Sequence, residues 1–326
     1  MATEGNMVLF LGEDDVKQIL TMSDAVKVLE ETFRQQGLGN VMNQPRQRVR
    51  TDVSMLHYLA GALPHLGVMG YKAYTSSKAG IKFRVFLHDM ETGELLSIMD
   101  GNYMGMMRTG AVSGVATKYL AREDMSRVGI YGAGWQARGQ LLGAAAVRHV
   151  KKISVYSRNT AGREAFAREM EKQLRITVTP VASAEEVIRD ADCVITSTSS
   201  FEPVLKGEWL AKGTHINAIG GNFLFKRELD ERAVRASDVI VVESLEQAKI
   251  EAGEFLPLIE KGTLRWSRIA ELGDVVAGKV KGRTKEDDIT LFKSLGIAVE
   301  DIAVAAHVYK VAKGAGMGTK LDMPSN

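Results

Sequence analysis

Gly132-Ala133-Gly134-Trp135-Gln136-Ala137 spells G-x-G-x-x-A. It follows an apolar run at residues 128–131 and opens a helix-like segment at 136–147. Strand, glycine turn and helix in that order make a cradle for a pyrophosphate. Gly132 permits the tight turn, Gly134 lets the backbone approach the phosphates, and Ala137 keeps the helix close to the sheet. The helix start adds its N–H groups and the positive end of its dipole. The run at 153–156 ends in Ser157-Arg158-Asn159, where an NAD site would carry an acid for the ribose 2′-hydroxyl. Arg158 suits a 2′-phosphate instead, in a bidentate, charge-assisted contact, and Ser157 and Asn159 add hydrogen-bonding groups. This favours NADP(H). NAD(H) stays allowed, because a solvated Arg158 or one stacked on adenine would serve it. Thr196-Ser197-Thr198 and Ile219-Gly220 close two later strand-like runs. Small and hydroxyl residues at strand ends leave room for a ribose and a nicotinamide, although turn chemistry alone also selects them.

These residues need a parallel sheet to hold them. From Arg127 onward, apolar runs at 128–131, 153–156, 193–197, 215–219 and 239–242 alternate with helical segments, as in a doubly wound parallel sheet. The preceding part reads differently. A helix capped by Ser23-Asp24 stops near residues 37–39. Strand-like pieces follow at 46–51, 69–75, 83–88 and 95–99, with an antiparallel hairpin around the turn at 91–94. A helix covers 104–120. After a charged loop at 279–288, a last helix spans 299–313. The fold class expected is α/β: a Rossmann doubly wound domain plus an α+β domain.

The chain has 326 residues, 42 basic and 40 acidic, for a net charge of +2. That balance leaves no electrostatic footprint for nucleic acid or anionic membrane. The single cysteine, Cys193, excludes an internal disulfide and a multi-thiolate metal centre. No His/Asp/Glu cluster has ligand spacing, so no metal is expected. Residues 7–11 are too short for a signal-peptide core, and no run approaches the ~20 apolar residues of a membrane span. A cytoplasmic location is the expectation.

The chain resembles the ornithine cyclodeaminase/mu-crystallin family over nearly its whole length. The likeness rests on Pro45-Arg46-Gln47-Arg48, Gly70-Tyr71-Lys72, Arg108-Thr109-Gly110-Ala111 and the Gly132–Ala137 turn. It continues through Asn217-Ala218-Ile219-Gly220, Glu228-Leu229-Asp230 and Phe292-Lys293-Ser294-Leu295-Gly296. The resemblance implies a substrate-binding and dimerisation domain of residues 1–120 with 300–326, a Rossmann domain of 121–299, an active site in the cleft, and a homodimer. It implies action on amino acids or their imines. Lys72 and Arg108 match the family's basic residues that hold the substrate carboxylate by the nicotinamide. Arg46 matches a third, with Arg48 the alternative. Thr109, beside Arg108 in the same motif, is placed with the cofactor residues. Lys72 also stands out unaided, as a charge inside an apolar strand run.

Asn222 departs from the pattern, because cyclodeaminases and archaeal alanine dehydrogenases of the family are expected to carry aspartate there. An amide cannot exchange a proton as a carboxylate does. Asn222 is therefore read as a substrate-binding residue that argues for imine reduction. The expectation is hydride transfer from NAD(P)H to the C=N carbon of an α-imino acid or cyclic ketimine. The alternatives are an amino-acid dehydrogenase or ornithine-type cyclodeaminase, and an NADPH-dependent small-ligand-binding protein of crystallin type.

Overall fold

The computed structural model describes residues 6–323. They form two units, 6–108 with 296–323 and 109–295. The joints fall earlier in the chain than the expected 120/121 and 299/300. One lies inside a helix, and nothing in a helical pattern marks where it passes from one unit to the next. Residues 1–5 and 324–326 of the expected domains lie outside the described residues.

Period-two alternation builds the first unit's mixed sheet. Its strands are β1 (Asn6–Leu11), β2 (Met42–Asn43), β3 (Gln47–Arg50), β4 (Ser54–Leu63), β5 (Val68–Ser77), β6 (Gly80–Asp89), β7 (Leu95–Asp100) and the chain's last strand, β16 (Thr319–Met323). The spatial order is β16-β1-β7-β6-β5-β4-β2, with β3 also on β4. Only the β1–β7 pair is parallel. Along β5, Val68, Gly70 and Lys72 are buried in alternation, so Lys72 lies on the core face. Its cross-strand neighbours there are the buried Leu59 and Val85. The helices of this unit are α1 (Glu13–Ile19), α2 (Met22–Gly37), the start of α3 (Asn102–Leu120) and α11 (Ala298–Ala315), which packs across β4, β5 and β6. Glu13 accepts from the backbone N–H groups of Asn102 and Tyr103, capping α3 from a distance.

Two local readings need correction. The cap of α2 is Thr21, which accepts from Asp24 N, rather than Ser23-Asp24. β4 spans a stretch where the sequence reading places no strand: His57, Tyr58, Ala60 and Gly61 blur its alternation, and ten-residue pairing with β5 decides it.

The second unit is a parallel sheet of β8 (Arg127–Tyr131), β9 (Lys152–Tyr156), β10 (Thr177–Pro180), β11 (Cys193–Thr196), β12 (His215–Ala218), β13 (Val239–Val242), β14 (Ile269–Glu271) and β15 (Thr290–Lys293). The order is β10-β9-β8-β11-β12-β15-β13-β14, and every ladder is parallel. The chain winds outward from β8 to β10, then returns to β11 on the other side, so the switch point lies between β8 and β11. Helices α4 (Trp135–Val147), α5 (Thr160–Leu174), α6 (Ala184–Ile188), α7 (Glu231–Ala236), α8 (Leu245–Glu251), α9 (Leu256–Glu260) and α10 (Leu272–Val276) connect the strands. Buried Val, Ile and Leu on both faces explain why these strands read as apolar runs without alternation. No helix among the described residues is long and apolar enough to cross a membrane.

Candidate active site

In the second unit the dinucleotide candidates converge on the carboxyl ends of β9, β8, β11 and β12. Gly132 N donates to Tyr156 O, Ser197 N to Tyr131 O, and Ile219 N to Thr196 O, which links the strand ends laterally. Gly132 has φ +106, and a Cβ there would lie 2.2 Å from Ser197 O, so only glycine makes this turn. Gly134 is the opposite case. It is exposed, extended at φ −94, and a Cβ would meet nothing within 4 Å. The protein leaves that space open at the N-cap of α4, which is what a pyrophosphate on the turn requires. Ala133 and Gln136 are half-buried, Trp135 is exposed and Ala137 is buried against the sheet.

Behind this turn, α4 crosses the second-unit part of α3 at glycines. A Cβ on Gly110 would lie 2.0 Å from Gly139 O, and one on Gly143 2.0 Å from Gly110 O. Thr109 is buried there, and its carbonyl accepts from Gln140 Nε2 at 3.2 Å.

Of the residues after β9, Asn159 caps α5 by accepting from Gly162 N at 2.9 Å, and Ser157 Oγ donates to Asn159 O. Both side chains hold the turn itself. Arg158 is exposed.

At the ends of β11 and β12 the placement changes a reading. Thr196 is fully buried, with its hydroxyl donating to Glu228 Oε2 at 2.7 Å. It supports the strand end from beneath and offers no hydroxyl outward. Asn217 likewise points into the core, donating to Thr117 Oγ1. Ser197, Thr198, Ile219 and Gly220 lie at the turns and are half-buried. Glu228 is a residue that the sequence marks only as part of a family-like motif. Burial pushes its carboxyl up, and the charge of Lys293 pulls it back.

In the first unit, Arg46, Lys72 and Arg108 are all buried. Lys72 Nζ donates to Asp301 Oδ1 at 2.9 Å and lies 4.9 Å from the Phe83 ring centroid. Arg108 pairs through Nη1 with Glu300 Oε2, and its Nε lies 3.2 Å from Asp301 Oδ1. Arg46 Nη2 donates to Gly296 O at 2.9 Å. Burial is the largest influence on Lys72 and lowers it to about 8; Asp301 opposes this and Arg108 reinforces it. Burial would raise Asp301, but Arg108 and Lys72 outweigh it and hold the carboxyl below its usual range. Its Oδ2 is buried with no hydrogen-bond partner among the described residues. His57 stacks on Tyr74 at 4.2 Å, and burial with the nearby arginines lowers it to about 4, so it is neutral near pH 7.

The structure therefore gathers the three basic residues and adds two acids that sequence reasoning missed. Glu300 and Asp301 sit in the first turn of α11, where acids are ordinary partners of the helix dipole. The available signal was their setting, two acids inside the apolar run from Ile297 to Ala305. Asn222 falls in the second unit, half-buried in an irregular segment.

A dinucleotide turn on a Rossmann sheet, carried in one chain with an α+β unit that buries paired cations and carboxylates, defines a class of two-unit α/β proteins. The chain belongs to the ornithine cyclodeaminase/mu-crystallin family, whose model matches residues 6–316. It is 39% identical over 239 residues to a Delta(1)-pyrroline-2-carboxylate reductase of Bacillus cereus, a match that covers 73% of each chain. It is 34% identical over 322 residues to an alanine dehydrogenase of Archaeoglobus fulgidus, covering 96% of this chain and 98% of the relative. Among solved structures it is similar to the Thermococcus litoralis Delta(1)-pyrroline-2-carboxylate reductase in complex with NADH and L-proline. That match has a TM-score of 0.92 and 36% identity, over 96% of this chain and 100% of the other.

Proposed function

We propose that this protein is a nicotinamide-dependent reductase of α-imino acids, with cyclic imine carboxylates such as Δ1-pyrroline-2-carboxylate as the preferred class. The observation that carries this reading is the buried group of Arg46, Lys72 and Arg108, braced by Glu300 and Asp301. Three cations against two carboxylates leave one positive charge among these five groups, the complement of a single substrate carboxylate. That carboxylate loses its water on burial and takes donors from Arg108 and Lys72 in its place. Asp301 Oδ2 is an acceptor for the N–H of a protonated imine. Fixing the carboxylate fixes the adjacent carbon, an orientation worth several kcal/mol of barrier. When bound, a reduced nicotinamide supplies the hydride, and the chain supplies position and charge. The relatives named above support the choice, since two are reductases of a cyclic imine carboxylate and one was solved with NADH and L-proline. Asn222 supports it too, because cyclodeamination needs a proton carrier that an amide is not.

NADPH is the preferred reductant in this reading. Arg158 is exposed at the end of β9 and no acid stands beside it for a 2′-hydroxyl. The NADH in the Thermococcus litoralis structure favours the other nucleotide, so both belong in the assay. A second reading, amino-acid dehydrogenase, is favoured by the alanine dehydrogenase that matches 96% of the chain. The protein is proposed to work as a homodimer in the cytoplasm, with the first unit binding substrate.

The test is oxidation of NADPH and NADH, followed with Δ1-pyrroline-2-carboxylate and with pyruvate plus ammonia, alongside ammonia release from ornithine. Saturable oxidation with the cyclic imine is expected, and Arg158→Ala should weaken NADPH by about 2 kcal/mol while sparing NADH. Ammonia released from ornithine, with no imine reduced, would overturn the assignment. Equal affinity of the unmutated protein for both nucleotides would overturn the cofactor preference.

A further inference from the structure

The geometry points to Glu228 as a positioning residue for the nicotinamide end of the dinucleotide. This inference rests on the dinucleotide reading of the second unit. Glu228 is fully buried and reaches two neighbouring strand ends at once. Its Oε2 accepts from Thr196 Oγ1 and from Gly220 N, both at 2.7 Å, and its Oε1 accepts from Thr198 N at 2.6 Å. Thr196 ends β11 and Thr198 lies just beyond it, while Gly220 follows β12. One carboxylate thus ties the turns of two parallel strands beyond their last paired residues, Thr196 and Ala218.

The brace extends to a third strand. Lys293, buried at the end of β15, donates to Gly221 O at 2.6 Å and lies 3.5 Å from Glu254 Oε1. Glu254 Oε1 in turn accepts from Glu228 N at 3.2 Å. The fit is close: a Cβ on Gly220 would stand 2.3 Å from Glu228 Oε1.

Position then assigns the role. In a doubly wound sheet a dinucleotide lies across the switch point, half on each side. The Gly132–Ala137 turn and Arg158 are on the β8–β9 side, which leaves the β11–β12 side for the nicotinamide half. Glu228 contacts no ligand in this scheme; it sets the two backbone turns on which that half would rest. An interior carboxylate satisfied by two N–H groups and one hydroxyl is otherwise a costly choice for a core position.

The experiment compares Glu228→Gln with the unmutated full-length protein by titration with NADPH, NADH and ADP-ribose, which lacks the nicotinamide. The amide keeps the shape but cannot accept from three donors. The inference expects at least tenfold weaker binding of both dinucleotides, with ADP-ribose changed less than twofold. Thr196→Val, which removes one donor and keeps the volume, should weaken the dinucleotides about threefold in the same selective pattern, and it serves if Glu228→Gln fails to fold. Equal loss for the fragment and the whole molecule would mean a general structural role and overturn the inference, as would no loss for either. An unmutated protein that binds neither dinucleotide would instead refute the dinucleotide reading itself.

Discussion

Lys72 is the residue on which the proposed substrate chemistry turns. It sits in a strand register that would ordinarily hold a Val or Ile, between Leu59 and Val85. Burial makes its charge costly, and Asp301 makes the charge tolerable. The balance leaves it near 8, protonated at neutral pH and neutral a little above it. A neutral amine does not attract a carboxylate. Raising pH through about 8 should therefore raise KM for the imino acid, and log kcat/KM should fall toward a slope of −1 on the alkaline side. His57, lowered to about 4, adds no step between pH 5 and 9. Steady-state rates across that range check both statements, and an alkaline limb unchanged in Lys72→Met would contradict the assignment to Lys72. The sequence shows this lysine clearly, since a charge in an apolar run is visible without a structure. It does not show Asp301 as the partner, because residues 72 and 301 are brought together only by α11 crossing the sheet.

At the scale of elements, glycines separate stability from binding. The α3–α4 crossing has carbonyl oxygens where side chains would be, so Gly110→Ala must push two helices apart. Overpacking of this kind costs about 1–3 kcal/mol, and a lowered denaturant midpoint should show it. Gly134→Ala meets no protein atom within 4 Å, so stability should stay within about 0.5 kcal/mol of the unmutated protein. Nucleotide affinity should nevertheless fall at least tenfold, because the new methyl group enters the space left for phosphates. Loss of stability in Gly134→Ala with unchanged affinity would contradict the placement of the cofactor. The glycine turn was legible because strand, turn and helix are consecutive in the chain. The parallel strands were legible as apolar runs, apart from the short β10, β14 and β15. The α3–α4 crossing and the Glu228 brace were not, since each joins residues distant in sequence whose types are unremarkable alone.

At the scale of the molecule, the proposed function divides between the two units: the dinucleotide turn on one and the proposed carboxylate grip on the other. Arg108 and Thr109, consecutive residues of α3, belong to different units, so the helix links the two functions covalently. The central claim is that the buried cations recognise an α-carboxylate. It is tested most directly by the ratio of kcat/KM for Δ1-pyrroline-2-carboxylate to that for 1-pyrroline, the same ring without the carboxylate. A ratio of about 10³ or more, some 4 kcal/mol of transition-state stabilisation, is expected in the unmutated protein. The ratio should collapse toward unity in the Lys72→Ala/Arg108→Ala pair. A ratio near one in the unmutated protein, or one the double substitution leaves intact, would contradict the account.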